Sequence, residues 1–222
     1  EGFIPKKQHV LGRFGRWQDI LAQDLPADPE LYSVTTAMMH YARTVALANS
    51  QALDEAEAEK ALFLAARDRV PDSRMLFNNS CRDILQVAEK MLMGELEYHK
   101  GNHDAAFAHL RKSVELDDNL PYDEPWGWMQ PTRHALGALL IEQSRYEEAE
   151  QVYRADLGLD GTLSRACQHP GNVWSLHGLH ECLVHRGETV EAKQFKLLLD
   201  KAVARAEVPI QASCYCRQKI AA

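Results

Sequence analysis

The chain has 222 residues, 45% of them apolar and 26% charged, with a net charge of −7; this is the composition of an ordinary globular protein and excludes fibrous or disordered classes. Lys and Arg are dispersed rather than striped, which argues against nucleic acid as a partner. No apolar run approaches the ~18–20 residues that cross a bilayer, and no basic flank leads into an apolar core at the N-terminus, so a cytoplasmic location without a membrane partner is expected.

The chain opens on half of a repeat. Gly15 takes a turn position and Trp17 an aromatic position just after it, but the helix ahead of the turn is short, which gives a partial unit over residues 1–23. Because one repeat unit does not bury its apolar face alone, a segment upstream of Glu1 is expected to complete this one. Full helix-turn-helix units are predicted over about 35–68, 83–116, 131–157 and 172–206, with turns at Gln51, Gly101, Ser144 and Gly187. The turns are 50, 43 and 43 residues apart, more than one plain helical hairpin needs, so inserts must lie between units. Two proline- and glycine-bearing stretches, 120–131 and 158–170, read as those inserts. Pro209 is expected to end the last helix, leaving residues 209–222 as a tail. Five cysteines, Cys81, Cys167, Cys182, Cys214 and Cys216, are odd in number and irregularly spaced, which points to reduced thiols.

The third unit is the clearest copy. Gly137 stands seven residues before the turn at Ser144, and Tyr146, Ala149 and Tyr153 follow it. This resembles the tetratricopeptide pattern, which implies an all-α fold: a right-handed α-α superhelix, or solenoid, of helical hairpins. Over nearly its whole length the chain also resembles a group of tetratricopeptide-repeat proteins of bacteria and fungi. That resemblance rests on Leu120 to Pro125, Pro131 to Ala138, Tyr153 to Leu157, Pro170 to Leu179 and Ala212 to Cys216, and it brings no activity with it. Members of the group look longer at the N-terminus, where a His-Met-Pro-Ser-His segment has no match here. The N-terminal remainder of the same protein is accordingly expected as a partner.

In such a solenoid the first helix of each unit builds a concave wall. The turn-anchored register puts Glu95 and Tyr98 on that wall from the second unit, Arg133 and His134 at the start of the third, and Trp174, His177 and Glu181 from the fourth. The insert acids Asp123 and Glu124 and the indoles Trp126 and Trp128 stand just ahead of the third unit, where they could fold over the groove. The leading expectation is a binding or scaffolding module whose groove takes a protein, a peptide or a small molecule. The alternative is a metalloenzyme or metal-binding protein. His134 and His177 fall at the same position of neighbouring units and Glu181 lies one turn after His177, a donor set that zinc, copper or iron could use. Cys214 and Cys216, one residue apart, are a second candidate pair for a soft metal. Outside these, His9, His99, His169 and the remaining histidines read as packing or solvated residues.

Overall fold

The residues that anchor the repeat register are places where the backbone turns left-handed. Gly15, Gln51, Gly101, Ser144 and Gly187 have φ of 61°, 63°, 87°, 58° and 74°. At each, the residue after the turn donates its N–H five residues back, as Asn102 does to Glu97 O and Glu188 to Leu183 O, both at 2.9 Å. This 6→1 closure satisfies carbonyls that a helix end would otherwise leave open, and it aims the next helix back along the first.

Residues 1–217 are described in the computed structural model. Among them ten α-helices follow in order: α1 Lys6–Arg13, α2 Trp17–Leu21, α3 Ser33–Asn49, α4 Leu53–Asp68, α5 Cys81–His99, α6 His103–Asp118, α7 Thr132–Glu142, α8 Tyr146–Asp156, α9 Val173–His185 and α10 Thr189–Val203. The fold is an all-α helical repeat. The one departure is a short antiparallel hairpin, β1 Met75–Leu76 and β2 Asn79–Ser80, ahead of α5. The last helix ends at Val203, six residues before Pro209, so the proline does not terminate it. The expected tail reaches beyond the described residues, since 218–222 lie outside them.

The chain divides into two compact units, Glu1–Thr132 and Arg133–Ala222. In the first, α3 packs on α2, α4 and α5, and α5 on α6. Small side chains set the spacing: Ala42 and Ala46 are buried against Ile20 of α2, with Trp17 and Tyr41 beside them, while Ala48 and Ala56 meet Leu96. The insert 120–131 is fastened to the hairpin by Asn78 and Asn79, which reach Tyr122 O and Pro121 O at 3.0 and 2.9 Å, and, above all, by one side chain of its own. Asp123, buried, accepts from Asn78 N at 3.0 Å, Asn78 Nδ2 at 2.8 Å and Asn79 Nδ2 at 2.6 Å. Trp128 is buried too, edge-on to the His9 ring at 4.8 Å and the Tyr41 ring at 5.3 Å.

In the second unit one ring fills the space that two glycines vacate. Tyr153 of α8 is fully buried. A methyl group built at Gly137 of α7 would lie 2.4 Å from its Cζ, and one at Gly178 of α9 would lie 2.2 Å away. In the fourth helical hairpin the close approach therefore falls at Gly178, two residues before the position that the turn spacing alone assigns to a small residue, which is held by His180. Ions tie the helix ends together: Glu150 accepts from Arg154 Nε at 2.7 Å and pairs with Arg186, and Arg154 also reaches Glu191 at 2.6 Å.

Overpacking at a ring with nowhere to move is costly. Gly137→Ala and Gly178→Ala are each expected to lose ~1–3 kcal/mol in urea unfolding, whereas Gly12→Ala, in α1 with nothing within 4 Å of the added methyl, should gain up to ~1 kcal/mol from helix propensity.

Candidate functional site

The second unit is organised by a buried carboxylate. Asp156, at the end of α8, is fully buried. Its Oδ2 accepts from His134 Nε2 of α7 at 3.2 Å and from Ser175 Oγ of α9 at 2.5 Å, and its Oδ1 from His169 Nδ1 of the insert at 2.9 Å. Its carbonyl takes His169 N as well, at 2.6 Å. Burial opposes the charge on Asp156, but the hydrogen bonds from His134 and His169 outweigh that cost and hold the carboxyl well below the usual carboxylate range. His134, placed on the open wall by its register, is thus turned inward and fully enclosed. His169, read as a bystander, is one of the residues that lock the insert 158–170 to the helices.

A signal for this cluster lies in the sequence. Twelve residues past the turns at Gln51, Gly101, Ser144 and Gly187 stand Phe63, Ser113, Asp156 and Leu199, and all four are buried. An aspartate at a position that the other copies give to Phe, Ser and Leu demands internal donors.

The second unit's open face runs along α9. Trp174, His177 and Glu181 recur at helical spacing on one side and are all half-buried. Burial lowers the pKa of His177; Arg217 and His180 add to that, and the nearby Glu181 charge opposes it. His177 Nδ1 stands 3.9 Å from Glu181 Oε2 and has no hydrogen-bond partner. A segment of the same chain lies against this face. Ala212, Ser213, Cys214 and Cys216 are buried, so residues 212–217 are packed, not a free tail. Tyr153 OH donates to Ser213 Oγ at 2.5 Å, and Ser213 Oγ donates onward to His134 O at 3.1 Å. The Tyr215 ring meets Trp174 edge-on at 6.4 Å. Arg217 Nη1 donates to both Glu181 oxygens, each at 2.9 Å.

Apart from Arg133, the other sequence candidates sit in the first of the two compact units. Glu95 and Tyr98 are buried on α5, where Glu95 accepts from Asn49 Nδ2 at 3.1 Å and Tyr98 packs near His103 and Phe107. They are interior residues, not an exposed wall. Asp123 is a structural anchor, exposed Glu124 accepts from Tyr122 OH, Trp128 is a core plug and Trp126 is exposed. Arg133, at the start of α7, is buried.

Cys214 and Cys216 are joined as a disulfide, in place of the reduced pair expected, so neither offers a free thiolate. His134 is committed to Asp156 and enclosed, which separates it from the half-buried His177. Among the described residues no three His, Cys, Asp or Glu side chains gather in a way that could hold a metal ion. A further cleft of about 590 Å³, lined by Leu157, Leu159, Val173, Leu176, Phe195 and Leu198 among others, is mainly apolar.

Residues 86–157 match the tetratricopeptide repeat family, a stretch that runs from within α5 through α8 and contains the turns at Gly101 and Ser144. Residues 86–157 thus carry tetratricopeptide repeats. No curated protein and no solved structure gave a match. No helix among the described residues is long and apolar enough to cross a membrane.

Half-buried His9 and buried Glu95 of the first compact unit give stability opposite dependences on pH. Burial, with the Arg13 charge, lowers His9 to about 4, and burial raises Glu95 to about 7 against the Asn49 hydrogen bond. Stability from neutral His9 is present above pH ~6.5 and lost as pH falls toward 4; stability from protonated Glu95 is present below pH ~4.5 and lost as pH rises through 7. Between about pH 4.5 and 6.5 the two slopes oppose. His9→Gln should therefore leave a protein that grows more stable on acidification from pH 7 to 4.5, and Glu95→Gln one that weakens from pH 6.5 to 4, each by up to ~3 kcal/mol in urea titrations. Asp156→Ala, which strands three buried donors, should cost ~3–5 kcal/mol.

Proposed function

We propose that this tetratricopeptide-repeat protein is an interaction module that takes a peptide segment of its partner on the α9 face of the second unit. Repeats of this kind serve protein interaction and scaffolding, because stacked hairpins present a long surface with little rearrangement. The observation that carries the choice of face is that it already accommodates a peptide: residues 212–217 lie along it through hydrogen bonds, an aromatic contact and an ion pair.

The chemistry of the face suits that use. Trp174 offers a rigid aromatic surface, Glu181 is the one carboxylate of α9, and His177 keeps a buried nitrogen without a hydrogen-bond partner. The Asp156 cluster beneath fixes the two helices and the insert, so the groups are held before a ligand arrives, which cuts the ordering cost of binding.

Peptides selected from a random displayed library against the full chain, then fitted with a photo-cross-linker, are expected to attach to residues 174–185. They should also lose at least ~1.4 kcal/mol, or tenfold, in His177→Ala. Selected peptides that attach to the first unit or to α10, and that bind His177→Ala as tightly as the unaltered chain, would sink this reading.

A further inference from the structure

Resting on that reading, we infer that the partner segment carries an arginine two residues after an aromatic side chain, and that residues 213–217 are an internal copy of it that competes for the groove. Three contacts define the copy. A small hydroxyl side chain, Ser213, enters the gap where Tyr153 OH and His134 O meet. Tyr215 lies against Trp174, and its own hydroxyl returns to Pro209 O at 3.2 Å, so its ring faces the groove while its polar end is used within the segment. Arg217 is buried against Glu181. Cys214 and Cys216 flank Tyr215 and are joined to each other, so they make no covalent bond to the helices.

The internal copy is an imperfect ligand, and this is what makes it displaceable. One nitrogen of Arg217, Nη1, serves both Glu181 oxygens. Its Nε–H is buried with no hydrogen-bond partner. A guanidinium approaching Glu181 side-on, through Nε–H and one terminal N–H in parallel, would satisfy both oxygens and use the donor that Arg217 leaves without a partner. His177 Nδ1 is likewise unpartnered while the internal segment is docked. A partner arginine free of the tether after α10 can adopt the two-donor geometry and place a further polar group on His177. Lysine, with a compact ammonium and no planar fork, cannot reproduce it.

The test uses the full chain and a fluorescein-labelled peptide that reproduces residues 212–217 with alanine at both cysteine positions. The unaltered chain is expected to bind it weakly, and Arg217→Ala at least tenfold more tightly, because the groove is then released from its own arginine. A peptide with lysine in place of arginine should lose about tenfold against Arg217→Ala. The charge-reversed chain Glu181→Arg should reject the arginine peptide, and Glu181→Arg combined with Arg217→Glu should restore protection of residues 212–217 from proteolysis. That last measurement reports docking even if Arg217→Ala alters folding. Equal binding of the arginine peptide by the unaltered chain and by Arg217→Ala would overturn the inference, as would equal binding of the arginine and lysine peptides. Library peptides that attach to α9 but lack the aromatic-x-arginine pattern would overturn it while leaving the groove reading intact; peptides that attach elsewhere would remove both.

Discussion

One buried carboxylate decides the arrangement of the second unit. Asp156 gathers donors from α7, the insert and α9, and so ties three segments to the end of α8 at one point. Its free energy is conditional, since a carboxylate without those partners would be costly to bury and with them is fixed in its charged form. The cluster therefore specifies geometry more than it adds net stability. Tyr153, one turn earlier on the same helix, uses the same geometry apolarly, with its ring between Gly137 and Gly178 and its hydroxyl aimed at Ser213. Polar and apolar constraints on α8 thus converge on the place where the C-terminal segment docks.

The hairpin order was legible in the sequence because it depends on local chemistry. A helix end that needs a left-handed residue leaves a recognisable mark when the residue is glycine, and the spacing exposes Gln51 and Ser144 in the same role although neither is glycine. The site was less legible. His134 and His177 both stand ten residues before a turn, and the register treats them alike. Their fates differ through the position twelve residues after the turn: Asp156 draws His134 inward, whereas in the last hairpin that position is the apolar Leu199 and His177 stays on the face. A repeat register specifies which side of a helix a residue occupies; it does not specify what the neighbouring helix offers it.

The inserts show the same limit. Acids and indoles between 120 and 131 look like a lid when read as a string, yet Asp123 is consumed by three hydrogen bonds to Asn78 and Asn79, and Trp128 is packed against His9 and Tyr41. The hairpin that Asp123 holds is two residues per strand, too short for any alternation to announce it. Its partner Asp123 was visible only as a loop acid.

The docked C-terminal segment explains why burial and availability diverge on α9. Trp174, His177 and Glu181 are partly covered by a segment that is anchored at Ser213 by Tyr153 and His134 O, while its far end rests on an ion pair made through one guanidinium nitrogen and Tyr215 OH is used locally on Pro209. Such a cover shields Glu181 in part, through a single guanidinium nitrogen. Because the segment is tethered, its local concentration is high and even modest contacts keep it in place; because its contacts are incomplete, a free ligand with better donor geometry has something to gain. The α9 face is thus shielded and ordered by a segment of its own chain, and whether a partner replaces that segment turns on the Glu181 ion pair.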